Sequence, residues 1–278
     1  MTPAAGWQPG PVDVEVLAPA APVRRRPARP PVLRRFVGTV WTHDLPPEVT
    51  AVRVLPDAAV DVVVAGGRVR VAGPDTGPVV ERFPGAAWVV GLQVRPGAVP
   101  ALLGLPATAL RDERVDLSDL WGRDGDALWE AVAAATTPSE AAAALEAGLA
   151  ERARRAPDED PLADALLERV QAGGRAAAVA GDLGLGERQL RRRAGAAFGY
   201  GPKVLSRVLR FSSVVDRLRA APDTSLAALA ADAGYADQAH LTHEVRALSG
   251  LPPSRLRAEL GADQRSRRSP GSATRSQR

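Results

Sequence analysis

The chain has 278 residues, of which 45% are hydrophobic, and a formal net charge of +4. This length is enough for two domains with separate cores. The absence of cysteine excludes disulfides, thiolate metal sites and cysteine nucleophiles. No apolar run approaches the ~20 residues of a membrane span, and the N-terminus lacks the unbroken apolar region of a signal peptide. We therefore expect a cytoplasmic protein without a membrane partner.

The charge is distributed unevenly along the chain. Residues 36–159 contain 11 basic side chains against 18 acidic ones, whereas residues 160–260 contain 14 against 11. An acidic central part beside a basic C-terminal part is typical of a sensing or scaffold domain joined to a domain that binds a polyanion.

The first part of the chain reads as an arm followed by a sheet. Residues 1–31 are rich in Pro, Ala and Arg, and this composition predicts a disordered segment. Short valine-rich runs separated by Pro, Gly and Asp then predict strands at a spacing of about ten residues, as in a small antiparallel sandwich or barrel. In the clearest hairpin, 60–73, Gly66 and Gly67 supply the positive φ angles of a two-residue turn. The runs are VGTVW (37–41), AVRVL (51–55), AVDVVVA (59–65), RVRVA (68–72), PVVERF (78–83) and AWVVGLQV (87–94).

Helices are predicted to complete this N-terminal domain, which we place at residues 32–155. They cover 98–103, 124–135 and 138–155, with a capped turn at 116–121. Residues 156–160 are charged and contain Pro157, and they predict a linker.

The C-terminal part, residues 161–260, reads as helix throughout. Helices are predicted at 175–182 and 187–197, and Pro202 begins a long helix. Ser225 and Asp237 then cap two short helices separated by Gly234. This order gives one helix-turn-helix, a long connecting helix and a second helix-turn-helix. The basic tail, residues 261–278, is predicted to be disordered.

Three segments of this part carry a family resemblance. They are LGLGERQLRRR (183–193), GYGPKVLSRVLRF (199–211) and LAALAADAGYADQAHLTHEVRALSGLPPSRLR (226–257). In sequence and spacing they resemble the DNA-binding domain of AraC/XylS-type transcriptional regulators. The segment that runs from LPDAAVDVVV to DLSDLWG (55–122) also looks like the N-terminal domain of one branch of that family. The resemblance implies an α+β protein of two domains, with a cupin-like N-terminal sensor and an all-α double helix-turn-helix domain.

The resemblance also implies which residues meet DNA. In the first unit the corresponding residues are Arg188, Arg191 and Arg192, and the nearby Arg193 is placed to reach the DNA backbone. In the second unit they are Gln238, His240, Thr242 and His243, with Asp237 as the cap. Guanidinium groups can bind guanine or phosphate, and a glutamine amide can bind adenine. A solvated charged face is the plainer interpretation of the four arginines, but their place in the motif favours DNA contact.

Some positions depart from the family pattern. Members of the family commonly have Arg at the position of His243 and Phe at the positions of Ala194 and Val245. They usually have Ser at the position of Gly186. Phe198 lies near enough in sequence to replace part of the packing lost at Ala194. These departures keep a second hypothesis open, in which the chain is a ligand-binding protein or an enzyme whose helical domain no longer binds DNA.

No enzymatic signature supports that alternative. Only His43 is available for a metal centre in the sheet, and His240 with His243 lacks further ligands, so we expect no metal and no cofactor. Asp57, Asp61 and Asp75 are expected on turns and on the surface. Trp41 and Trp88 are expected in core or interdomain packing, and a ligand-pocket role for either is a secondary interpretation. The main hypothesis is a sequence-specific regulator that binds promoter DNA and is modulated through its N-terminal domain. A small-molecule effector, RNA polymerase and a second copy of the chain are its further potential partners.

Overall fold

The computed structural model describes residues 16–17, 23–46, 49, 51–83 and 85–268. Within these ranges an antiparallel sheet region precedes a helical C-terminal domain, which confirms the predicted fold class. The strands are β1 Val16–Leu17, β2 Arg24–Arg26, β3 Val37–Asp44, β4 Ala51–Val54, β5 Val60–Ala65, β6 Arg68–Ala72, β7 Val79–Arg82, β8 Trp88–Val94 and β9 Arg114–Asp116.

The strands form two sheets. The larger sheet has the order β2-β3-β8-β5-β6-β9 and is antiparallel throughout, and the smaller one has the order β1-β4-β7. Strand β1 runs parallel to β4. The smaller sheet is therefore mixed, whereas the sequence predicted antiparallel strands throughout. The predicted hairpin is present, since Val64 pairs with Val69 and Gly66 and Gly67 both have positive φ.

The larger sheet is apolar on both faces because its strands alternate between two cores. On β5, Val60, Val62 and Val64 are buried in the main core of the N-terminal domain. The opposite face, which includes Trp41 and Val63, packs against Val52 and Phe83 of the smaller sheet. The two sheets therefore enclose a second, smaller core between them.

Helices cover the outer face of the larger sheet and form the rest of the chain. They are α1 Val99–Leu103, α2 Leu117–Trp121, α3 Arg123–Ala133, α4 Pro138–Arg155, α5 Pro161–Gln171, α6 Ala176–Asp182, α7 Glu187–Phe198, α8 Pro202–Ala220, α9 Leu226–Asp232, α10 Gln238–Ser249 and α11 Pro253–Arg268. Helix α4 begins with a capping box, in which the side chains of Thr137 and Glu140 each accept from the other residue's backbone N–H. Thr137 directly precedes residue 138, where the sequence predicts the start of this helix. No helix among the described residues is long and apolar enough to cross a membrane.

Two terminal segments differ from their predicted disorder. Residues Arg24–Arg26, which we assigned to the disordered arm 1–31, pair with β3 as strand β2. Residues 261–268 of the predicted disordered tail continue helix α11, which is anchored upstream by the buried Leu256 and Leu260. Residues 1–15, 18–22 and 269–278 lie outside the described residues.

The long helix α8 belongs to both helix-turn-helix cores. Leu205 and Val208 pack with α5, α6 and α7, while Phe211 and Leu218 pack with α9, α10 and α11. Val204, near the start of this helix, is exposed. Because one continuous helix supplies side chains to both cores, it fixes how the two units are placed relative to each other.

Candidate nucleic-acid interface

The first helix-turn-helix consists of α6 and α7, which are joined by a turn at Gly184. Gly184 has a φ of 63°, and the Leu185 N–H donates to the Ala180 carbonyl over 2.8 Å. Val179, Leu190 and Ala194 are buried between the helices. The turn therefore orients α7 so that one face packs inward and the other is left to solvent.

The arginines of α7 lie on its free side. Arg188, Arg191 and Arg192 are all exposed. At 3.6 residues per turn, Arg188 and Arg192 point away from the buried Leu190 and Ala194, with Arg191 at the flank. Arg193 differs, since its guanidinium binds the Asp160 carboxylate over 2.8 Å. Arg191 also has an acidic neighbour, since its Nη2 lies 4.0 Å from a Glu187 carboxylate oxygen. All four predicted arginines are exposed, and Arg193 has the closest acidic partner.

The second helix-turn-helix consists of α9 and α10. The Ser225 hydroxyl accepts from the Ala228 N–H over 3.2 Å, and the Asp237 carboxylate accepts from the His240 N–H over 2.7 Å. Gly234 has a φ of 71° at the turn, and Gly250 ends α10 with a φ of 73°. These caps and breaks are the ones predicted from the sequence.

The predicted side chains on α10 differ in how freely they can reach a ligand. Gln238 and His243 are exposed. The Thr242 hydroxyl donates to the Gln238 carbonyl over 2.8 Å. The His240 ring meets the Tyr235 ring edge-on, with 5.2 Å between centroids. Thr242 and His240 therefore have side-chain contacts within this unit.

Arg246 is a residue of this face that the sequence analysis missed. It is exposed and lies one turn beyond Thr242 and His243, the i+4 and i+3 positions that share a helix face. Its spacing from Thr242 was visible in the sequence and could have identified it. It supplies the positive charge that His243 lacks in its neutral form.

Ion pairs between α8 and the second unit hold α10 in place. The Arg207 Nε lies 2.6 Å from a Glu244 carboxylate oxygen, and the Arg217 Nη1 lies 3.2 Å from Asp232. The Arg210 guanidinium lies over the Tyr235 ring at 5.3 Å. These contacts connect α8 to α9 and α10 at three points along its length, so they hold α10 in a fixed orientation.

The two small core residues are packed in this chain. Ala194 and Val245 are both completely buried. Phe198 is buried in the same core as Ala194, as expected for a side chain that fills part of the volume of a missing phenylalanine. The departures at Ala194 and Val245 therefore leave both helix-turn-helix cores closed.

Both units contact the N-terminal domain. The Tyr200 hydroxyl, just after α7, donates to the Asp75 carbonyl over 2.5 Å in a buried hydrogen bond. A side chain at Gly199 would collide with Pro74. In the second unit, the Ser249 carbonyl at the end of α10 accepts from Arg53 of β4 over 3.0 Å. The sheets can therefore influence both units through direct contacts.

A cavity of about 310 Å³ opens between the two sheets. Trp41, Val63 and Phe83 form part of its apolar wall, and Asp61 and Asp75 are polar groups in the same wall. The prediction that Asp61 and Asp75 are turn and surface residues is wrong. Asp61 lies within β5 and faces the cavity, and Asp75 is only 6% exposed. Trp41, one of the two tryptophans that we considered for a ligand pocket, lines this cavity, whereas Trp88 packs against the main core.

The chain is similar to known proteins in two separate regions. A family described as "Helix-turn-helix domain" matches residues 179–259, and a "Domain of unknown function (DUF6597)" matches residues 25–116. No curated protein sequence matches the chain. Among solved structures, an apo ToxT variant from Vibrio cholerae strain SCE256 is 12% identical, covering 81% of this chain and 98% of that one, with a TM-score of 0.43. ToxT from Vibrio cholerae O395 is 10% identical, covering 80% and 98%, with a TM-score of 0.41.

The fold of the C-terminal helices and the exposed basic helix define a DNA-binding domain with two helix-turn-helix units. The match at residues 179–259 identifies this part of the chain as an AraC-type helix-turn-helix domain.

Proposed function

We propose that this regulator binds promoter DNA with α7 and α10, the two reader helices, in successive major grooves on one face of the duplex. The observation that most directly supports this proposal is that α8 contributes side chains to both helix-turn-helix cores. It therefore holds the two reader helices at a fixed distance and orientation. Successive major grooves recur at ~34 Å, which is the separation that two such helices must match.

The side chains of α7 suit both kinds of DNA contact. Arg188 and Arg192 point away from the core at the free side of the helix, where a guanidinium can donate two hydrogen bonds to guanine. Arg191 at the flank is suited to a phosphate. Arg193, paired with Asp160, would contribute to the phosphate backbone only after exchanging that partner.

The second reader helix α10 is proposed to make a lighter contact. Gln238 has an amide that can bind adenine in the major groove, and His243 and Arg246 extend the same side. His240 and Thr242 complete the predicted set, with local partners that they would exchange on binding. Most of the electrostatic affinity would then come from α7.

The N-terminal domain is proposed to modulate DNA binding through the contacts at Tyr200 and Ser249. Asp75 supports this idea because its carbonyl accepts from Tyr200 while its carboxylate lies in the wall of the cavity. A small-molecule effector in the cavity would therefore act on a residue that touches the first helix-turn-helix. The role that we propose is that of a cytoplasmic, non-enzymatic regulator. RNA polymerase and a second copy of the chain remain predicted partners.

The test is a gel-shift titration with the promoter DNA beside the protein's own gene, at several salt concentrations. The triple variant Arg188→Ala, Arg191→Ala, Arg192→Ala should lower affinity, because each lost base contact costs about 1–3 kcal/mol and each lost phosphate contact lowers the salt slope by about 0.9. Arg123→Ala, which removes an exposed arginine at the start of α3, is the control. Unchanged affinity in the triple variant would refute the assignment of α7 as a reader helix.

A further inference from the structure

The cavity between the sheets has the shape and lining of a small-molecule site. Its volume is about 310 Å³, and ligand sites in proteins are commonly concave, mostly apolar and furnished with a few polar groups. The Trp41 indole lies across β8 against Gly91, where any side chain would collide with the ring. The absence of a side chain at position 91 therefore lets the aromatic ring lie flat along this wall.

Asp61 is the anchoring polar group on this wall. Its Oδ1 accepts from the Trp41 indole N–H over 2.6 Å, which leaves the other carboxylate oxygen for a ligand. Among the described residues, no Arg, Lys or His nitrogen forms an ion pair with Asp61. Asp57 is the neighbouring carboxylate, bonded to the Ala59 N–H and the Gln93 amide.

The arginines around the cavity have other acidic partners or lie in solvent. Arg114 binds both Asp75 and Glu81. Arg68 and Arg70 bind Asp116 and, like Arg82, are exposed. The negative charge at Asp61 is therefore compensated only at longer range, by Arg25 and Arg114.

We propose that this cavity binds an organic cation, a protonated amine on an aromatic or alkyl body, with its ammonium group against Asp61. The Trp41 and Phe83 rings give the cation and its apolar body a favourable surface, because a cation is attracted to an aromatic face. The assignment rests on the proposed function, since it names the class of effector that the regulatory domain takes.

Proton binding competes with such a ligand. Burial and the nearby Asp57 charge raise the pKa of Asp61 to about 7, against the Trp41 hydrogen bond and the charges of Arg25 and Arg114. An ammonium group requires the ionised carboxylate. The affinity should therefore fall by up to about tenfold per pH unit below pH 7 and level off above it.

The experiment is calorimetric titration of the full chain with three probes of one shape, 4-phenylbutylamine, 4-phenylbutanol and 4-phenylbutanoate, at pH 6, 7 and 8. The amine should bind tightest, and its affinity should rise with pH. Asp61→Asn keeps an acceptor for the Trp41 N–H but removes the charge. It should weaken amine binding by ~30-fold or more, as expected when one partner of a desolvated charge pair is lost. Asp119→Asn, an exposed carboxylate on α2, is the control and should bind as the unsubstituted protein does.

Three results would overturn the proposal. They are equal or tighter binding of the alcohol or carboxylate probe, amine binding that Asp61→Asn does not change, and no amine binding at millimolar concentration. A probe-free gel shift on the same preparations separates the two levels of inference. Failure to bind DNA there would refute the proposed function while leaving the result on the cation site standing.

Discussion

The hydrogen bond between Tyr200 and Asp75 gives the sharpest prediction about the contact between domains. The Tyr200 side chain is only 1% exposed, and its hydroxyl donates to a carbonyl 125 residues away in the chain. Tyr200→Phe keeps the ring packing but leaves that buried carbonyl without this donor. An unsatisfied buried polar group costs about 1–3 kcal/mol. The lost free energy of unfolding should come from the contact between the first helix-turn-helix and the sheets.

The same chain offers a matched control. The Tyr235 hydroxyl is buried and has no hydrogen-bond partner among the described residues, so Tyr235→Phe removes a polar group without breaking a bond. We expect Tyr200→Phe to lower the thermal midpoint by roughly 2–10 °C, from about 2–4 °C per kcal/mol for a chain of comparable size. Tyr235→Phe should leave the midpoint unchanged or raise it.

Scanning calorimetry or circular dichroism on the three proteins, at one protein concentration, measures these shifts. Burial raises the pKa of Tyr200 far above its usual range, so the hydroxyl stays protonated and the difference should not depend on pH between 6 and 9. Equal midpoints for Tyr200→Phe and Tyr235→Phe would refute the reasoning, because the two substitutions differ mainly in the hydrogen bond.

Two further predictions concern stability. Gly199→Ala should destabilise the protein in urea more than Gly234→Ala. Both substitutions put alanine at positive φ, which costs about 1–2 kcal/mol. Only at Gly199 would the new side chain also collide with Pro74, because Gly234 faces open space. Equal losses of stability in the two variants would contradict the packing at Pro74. Glu146→Gln should cost ~1–3 kcal/mol near neutral pH, because the buried carboxylate binds Arg26 at 2.8 Å. Since its pKa is lowered in the folded state, its contribution is present above the unfolded pKa and is lost as pH falls through the folded value. The difference between the proteins should shrink in acid, and a constant difference in urea titrations would contradict this cause.

The helical domain was the part most readable from the sequence, because its signals are local. Ser225, Asp237 and Gly234 act within one or two turns of the helices they cap or end, so their residue types alone place the boundaries. The same holds for the Gly66–Gly67 turn. The strands β2 and β9 were missed since their partners lie elsewhere in the chain, as when Arg25 pairs with Trp41.

The cavity was missed for the same physical reason. Asp61 stands between valines in a strand, and its sequence neighbours do not show that a second sheet covers that face. Asp75 also has two roles, with Arg114 and with Tyr200, that depend on segments far from it in sequence. A carboxylate on the otherwise apolar Asp61–Val63–Ala65 face was the available signal, and it should have favoured a lined pocket over a turn.

The most direct test of the central claim is selection of binding sites from random duplex DNA, followed by footprinting of the selected sequences. Two rigidly held reader helices predict two conserved blocks whose centres lie about 10–10.5 base pairs apart, both protected on one face of the duplex. The block read by α7 should lose its conservation when Arg188 and Arg192 are replaced by alanine. A single block, a variable spacing between blocks or no enrichment above random sequence would contradict the account.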